Sequence, residues 1–243
     1  MRKHFIIVGA QRSGTTGLYR LLDQHPDICM ARPIKPEPKF FLRKDALVQG
    51  YENYLALHFP HHTHELALGE KSTSYIEHEN AIANIHRTLP EAHLIFVLRD
   101  PATRAYSNWR FSRANGIEDL GFVDALEAEE TRTENWDHCR FSVCPYAYAG
   151  RGHYPRYLER WARCFPRENM ILVTSELLFN DLAVVRHVLE RIGVDPGVPL
   201  QLRGKVNESA SETDASTPRS FLQRLRIRYE DDIRTLADEW GLD

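Results

Sequence analysis

Short runs of apolar, strand-favouring residues recur along the chain, separated by stretches whose apolar positions follow a helical period. Phe5-Ile6-Ile7-Val8 is the first run, Leu94-Ile95-Phe96-Val97-Leu98 the clearest, and Met170-Ile171-Leu172-Val173 another. Residues 66–68 form a weaker run of the same kind. Unbroken apolar runs of this length fit strands buried on both faces, as in a parallel sheet. Between them, Leu18, Leu21 and Leu22 line one face of a predicted helix that ends at His25-Pro26. Val184, Val185, Val188, Leu189 and Ile192 line another, which stops at Gly193. This alternation predicts an α/β fold, a central parallel sheet flanked by helices.

Composition narrows the picture without changing it. The chain has 243 residues, 42% of them hydrophobic, which suits one domain over 1–243 with a full core. Its formal charge is -3, from 31 basic and 34 acidic side chains, so nothing marks a nucleic-acid or anionic-membrane partner. No run approaches the roughly 20 apolar residues of a membrane span. The first apolar run is too short for a signal peptide, so a soluble, cytoplasmic protein is expected. Cys29, Cys139, Cys144 and Cys164 lack framework spacing and read as reduced thiols. His61, His62 and His64, beside Pro60, read as a solvated loop; no metal is expected. Residues 118–137 hold eight acidic residues against Arg132 alone, a pattern that predicts a solvated helical face. Residues 207–218, NESASETDASTP, read as a mobile loop before a final helix.

The chemistry begins with GAQRSGTT, residues 9–16, directly after the first apolar run. It has the outline G-x-x-x-x-G-K-[ST], but Thr15 stands in the lysine place and Arg12 lies inside the loop. A glycine-bounded turn from strand to helix aims successive backbone N–H groups at an anion. Arg12, Ser13, Gly14, Thr15 and Thr16 are therefore candidate anion ligands. A triphosphate would lose its main charge partner here, so the ligand is expected to be phosphate-like and shorter or less charged. A glycine-rich turn with no ligand is the alternative, and the strand-to-helix context weighs against it. A second constellation is LIFVLRDPATRAYSNW. Arg99 emerges at the carboxyl end of its strand, where open α/β sheets bind ligands. Asp100 and Pro101 suit a helix cap and first turn, and Ser107 lies two turns on, so Arg99 and Ser107 could reach one phosphate. A structural Arg99–Asp100 ion pair is the simpler account of that segment taken alone.

Together, GAQRSGTT and LRDPATRAYSNW resemble the sulfotransferases that use 3′-phosphoadenosine-5′-phosphosulfate (PAPS). The first looks like their 5′-phosphosulfate loop and the second like their 3′-phosphate motif. The resemblance implies a P-loop-kinase-like sheet, PAPS as donor and 3′,5′-ADP (PAP) as product. It also accounts for the missing lysine, since this donor has no γ-phosphate and needs no magnesium. KPEPKFF, residues 35–41, looks like the E-x-x-F-F segment of heparan-type carbohydrate sulfotransferases, which implies that Glu37 is the catalytic base. Those enzymes tend to have histidine where this chain has Lys39. GEKSTSY, residues 69–75, resembles their E-K-[ST]-x-x-Y segment and implies that Lys71 lies near the transferred group. RGKVNES resembles a loop that closes over the donor, making Arg203, Lys205 and Asn207 further cofactor-binding candidates.

Blander accounts of these residues exist. Glu37 could be a surface carboxylate in a proline-rich loop, and Lys71 could form a surface salt bridge with Glu70. Tyr146, Tyr148, Tyr154 and Tyr157 could floor an acceptor cleft, although core packing suits them better. The implied reaction is sulfuryl transfer to a hydroxyl of a saccharide, lipid or natural product. Its rivals are a small-molecule or nucleotide kinase on the same fold and a non-catalytic nucleotide-binding regulator.

Overall fold

The computed structural model describes residues 2–201 and 219–242. Arg203, Lys205, Asn207 and the polar segment 207–218 lie outside the described residues. Along the chain come β1 (Lys3–Gly9), α1 (Thr15–Leu22), β2 (Ile28–Met30), α2 (Ala46–His58), β3 (Ala67–Lys71) and α3 (Glu79–Thr88). Then follow β4 (His93–Leu98), α4 (Pro101–Ala114), α5 (Phe122–Glu127), α6 (Glu129–Thr133) and α7 (Tyr154–Ala162). The last elements are β5 (Met170–Thr174), α8 (Ser175–Leu178), α9 (Leu182–Ile192), α10 (Arg219–Ile227) and α11 (Glu230–Trp240). These residues fall into two compact units, residues 2–98 with 159–201, and residues 99–158 with 219–242. Among the described residues, no helix is long and apolar enough to cross a membrane.

The first unit holds one five-stranded sheet in the order β2-β3-β1-β4-β5, with every pairing parallel. The apolar runs become strands because both sheet faces are covered. On one face Phe5, Ile7, Ile95, Val97, Ile171 and Val173 pack with Leu18 and Leu22 of α1 and Val188 and Ile192 of α9. On the other, Phe96 meets the Trp161 ring edge-on at 5.8 Å. The predicted helix after residue 182 ends as expected, on Gly193 in the left-handed region at φ 82°. Of the weak run at 66–68, Ala67 and Leu68 open β3 while Leu66 precedes it and is exposed; the buried GEK that continues the strand holds two charged residues. β2 was not anticipated; three residues, ICM, are too few to show a period.

The second unit is built round α4. Ala102, Ala105 and Trp109 pack with Phe122, Ala125, Tyr148, Leu225 and Tyr229. Asp100 caps α4 as predicted, accepting the Thr103 N–H at 2.8 Å, and it also takes Arg226 Nε at 2.9 Å. The acidic stretch 118–137 is not simply a solvated face. Glu118 is buried and accepts from Leu120 N–H, the Tyr148 hydroxyl and Arg132. Burial alone would raise its pKa, but those three donors outweigh it and hold the carboxyl below its ordinary range. Glu129 is buried too and accepts the N–H groups of Ala149 and Gly150 at 2.6 and 2.7 Å. Charge count along a sequence cannot distinguish such internal acceptors from solvated ones.

Gly69 of β3 offers a direct check on the sheet's packing. A Cβ there would lie 2.2 Å from Phe5 Cζ and 2.6 Å from Met30 Sδ, with strands on both sides. Gly69→Ala should therefore destabilise the protein by about 1–3 kcal/mol. Urea unfolding should show a lowered midpoint with an unchanged slope; an unchanged midpoint would contradict this packing.

Candidate active site

The glycine loop leaves β1 at Gly9, and the Ala10 N–H donates to Val97 O at 2.8 Å, which ties it to β4. Arg12 has φ 69° and Gly14 φ 88°, so two left-handed residues curl the chain before α1 begins at Thr15. Such a curl gathers N–H groups toward one point. Ser13 is fully buried, and its Oγ has no hydrogen-bond partner among the described residues. An orphaned buried hydroxyl costs about 1–3 kcal/mol, and an anion oxygen seated in the curl is a partner it fits. Gly14 and Gly17 are required by packing as well: a Cβ on either would come within 2.6 Å of the Phe179 ring. Sequence reasoning did not single out Phe179, which lies more than 160 residues beyond the loop it supports.

Beside the loop, β3 brings up Lys71. Ile7 pairs with Lys71 in the parallel ladder, and the Ser72 N–H donates to Ile7 O at 3.2 Å. The carboxyl ends of β1 and β3 are therefore neighbours. Lys71 is buried and makes a short contact with Glu37 Oε1. The surface salt bridge to Glu70 does not form. Glu70 points instead into the interior, where Tyr54 and Ser72 hydroxyls donate to it at 2.9 and 2.6 Å. Burial raises the Glu70 pKa above the ordinary carboxylate range.

Glu37 is likewise not a free surface carboxylate. Thr73 donates its N–H to Oε2 at 3.0 Å, and its hydroxyl lies 3.1 Å from both oxygens. Its side chain is 17% exposed, against 4% for Lys71. Glu37 is thus partly exposed, as a proton acceptor must be to meet a substrate hydroxyl. Thr73 was missed in the sequence because a threonine after E-K-S carries no signal until the fold brings Glu37 to it.

The remaining predicted residues are placed as follows. Arg99 follows the last residue of β4, and its carbonyl accepts the Tyr154 hydroxyl at 2.9 Å. Ser107 is buried on α4. Both belong to the second unit, whereas Arg12, Ser13, Gly14, Thr15, Thr16, Glu37 and Lys71 belong to the first. Tyr148, Tyr154 and Tyr157 are buried, consistent with packing. Among the described residues no group of His, Cys, Asp or Glu is arranged to hold a metal ion.

The sulfotransferase domain family matches residues 2–213. Mouse bifunctional heparan sulfate N-deacetylase/N-sulfotransferase 4 is 28% identical over 197 residues, covering 79% of this chain and 22% of that protein. Human heparan sulfate glucosamine 3-O-sulfotransferase 6 is 31% identical over 183 residues, covering 73% and 48%. The chain spans less than half the length of these relatives. Among solved structures, a sulfotransferase from Alicyclobacillus acidocaldarius is similar with TM-score 0.79 and 24% identity, covering 100% of this chain and 97% of that one. The sulfotransferase domain from the Curacin biosynthetic pathway gives 0.55 and 13%, covering 100% and 99%. Those two likenesses concern the fold, and they agree with a P-loop-kinase-like parallel sheet flanked by helices. With most of its length matched, from the first strand through the glycine loop and β5, the chain belongs to the sulfotransferase domain family.

Proposed function

We propose that the chain transfers a sulfuryl group from PAPS to an acceptor hydroxyl, with residues 1–243 acting as one catalytic domain. The observation that carries this reading is the contact of Glu37 with Lys71 and Thr73 at the carboxyl ends of β1 and β3, beside the glycine loop. A partly exposed carboxylate fixed by a cation and a backbone N–H suits a general base for an incoming hydroxyl.

In this reading Arg12, Ser13, Gly14, Thr15 and Thr16 bind the 5′-phosphosulfate end, and the orphaned Ser13 hydroxyl supports that assignment. Family resemblance assigns Arg99 and Ser107 to the 3′-phosphate and makes Arg203, Lys205 and Asn207 further cofactor-binding candidates. The acceptor oxygen bonds to sulfur as the bond from sulfur to the bridging phosphate oxygen breaks; PAP departs and Glu37 takes the hydroxyl proton. Arg12 and Lys71 offset charge that gathers on the sulfuryl and bridging oxygens. A saccharide is the acceptor class the heparan sulfate relatives support. A kinase is disfavoured by Thr15 in the lysine place. A non-catalytic regulator would bind the donor without turnover.

PAP formation from PAPS with EDTA present, assayed against a panel of saccharide acceptors, separates the three readings. Only a sulfotransferase turns over; a magnesium requirement would favour the kinase. Glu37→Gln should lower kcat by roughly two to four orders of magnitude. PAP affinity by calorimetry should hardly change, since the base faces the acceptor. A variant that keeps more than about a tenth of wild-type kcat, with chemistry rate-limiting, would remove Glu37 from this role.

A second test concerns the far end of the donor. Arg99→Ala should weaken PAP binding by roughly 1.5–3 kcal/mol, the range of a charge-assisted hydrogen bond, and Ser107→Ala by less. The loss should vanish for adenosine-5′-phosphosulfate, which lacks the 3′-phosphate. If wild type and Arg99→Ala discriminate equally between the two nucleotides, the 3′-phosphate assignment is wrong.

A further inference from the structure

The segment carrying Glu37 forms no sheet ladder, so its position depends on side chains that reach it. Lys71 and Thr73 hold the Glu37 carboxylate, Asn84 Nδ2 donates to Phe41 O at 2.9 Å, and two further hydroxyls take amides of the segment. Ser72 Oγ accepts the Lys39 N–H at 2.9 Å, and Tyr75 Oη accepts the Phe41 N–H at 3.1 Å. Both amides lie just past Glu37 in the chain. Lys39 is also held at φ 48°, a left-handed conformation that a lysine rarely adopts. Something must keep those oxygens turned toward the two amides.

That something is Glu70. A hydroxyl has one proton to give and lone pairs to receive with. Ser72 gives its proton to Glu70 Oε1 at 2.6 Å, and Tyr75 also hydrogen-bonds the Glu70 carboxylate. Glu70 is fully buried, so its oxygens find their partners inside the protein. With both protons committed to the carboxylate, the lone pairs of Ser72 and Tyr75 are left facing Lys39 and Phe41. Tyr54 donates to the other oxygen, Oε2, at 2.9 Å, which braces Glu70 from α2.

We infer that Glu70 is a positioning residue for the base: as an acceptor-only carboxylate it orients Ser72 and Tyr75 to hold residues 39 and 41, and so sets where Glu37 stands. This rests on the role given to Glu37 in the proposed function, and the test keeps the two apart. Glutamine is the informative replacement. Its amide oxygen can stand at only one of the two carboxylate positions, and any hydroxyl at the other, Ser72, Tyr75 or Tyr54, must accept from the NH₂ and turn its proton away.

Amide hydrogen exchange by NMR on the full chain is the primary measurement. Glu70→Gln should speed exchange at Lys39, Phe41 or both by at least tenfold, while amides of β1 and β4 keep their protection. Ser72→Ala, a smaller change, should speed Lys39 by a similar factor and leave Phe41 unchanged. In parallel, Glu70→Gln should lower kcat at least tenfold with a heparan-type oligosaccharide as acceptor, with PAP affinity within about twofold of wild type. Unchanged exchange at both amides in Glu70→Gln and in Glu70→Ala, which removes both acceptor oxygens, would overturn the inference, as would faster exchange spread evenly over β1 and β4. If Glu70→Gln does not fold, an unaffected Lys39 in Ser72→Ala overturns it equally. Absence of transfer by the wild type would count against the proposed function alone, because the exchange result stands without it.

Discussion

The register of β3 against β1 decides what this site contains. Ile7 lies opposite Lys71, and consecutive strand residues face opposite sides of a sheet. Lys71 therefore turns to Glu37 while Glu70 turns to Tyr54 and Ser72. A slip of one residue would exchange them, placing an ammonium among the tyrosine and serine hydroxyls and a second carboxylate against Glu37. Neither arrangement is tolerable in a buried strand, so the electrostatics of the site themselves lock the register. The glycine loop depends on the same alignment, since Gly9 ends the strand that Lys71 accompanies.

Carboxylates recur as ties for backbone that no ladder secures. Glu37 takes Thr73 N–H, Glu118 takes Leu120 N–H, and Glu129 takes two consecutive amides at Ala149 and Gly150. Each satisfies donors that would otherwise be buried without partners. Arg104 is the counterexample. It is fully buried and donates from one nitrogen to the Tyr148 carbonyl, but its Nε and Nη1 find no partner among the described residues.

Much of this was legible in the sequence. Runs such as FIIV and LIFVL announce buried parallel strands because both faces are covered, and Gly193 marks a helix end because only a left-handed residue closes it well. GAQRSGTT and the segments around Glu37 and Lys71 pointed to the candidate site because each packs its chemistry into a few consecutive residues. Distance in the chain hid the rest. Thr73, Tyr54 and Phe179 act on residues 36, 16 and more than 160 positions away, and nothing local distinguishes them from ordinary core residues. Glu118 and Glu129 misled for the converse reason: their neighbours in sequence are solvated and they are not.

The order of strands carries a consequence for synthesis. Among the described residues β5 pairs only with β4, yet residues 99–158, belonging to the second unit, are made between them. A nascent chain thus completes β1 to β4 and then extends through some seventy residues before the strand that covers the β4 edge, and Phe179 behind the loop, leave the ribosome. During that interval the Leu94–Leu98 run, all apolar, presents unpaired N–H and C=O groups of the kind that recruit other strands. At about 5–20 residues per second the exposure lasts several seconds. Whatever shields that edge as the chain emerges is as much a condition of a working site as the residues in it.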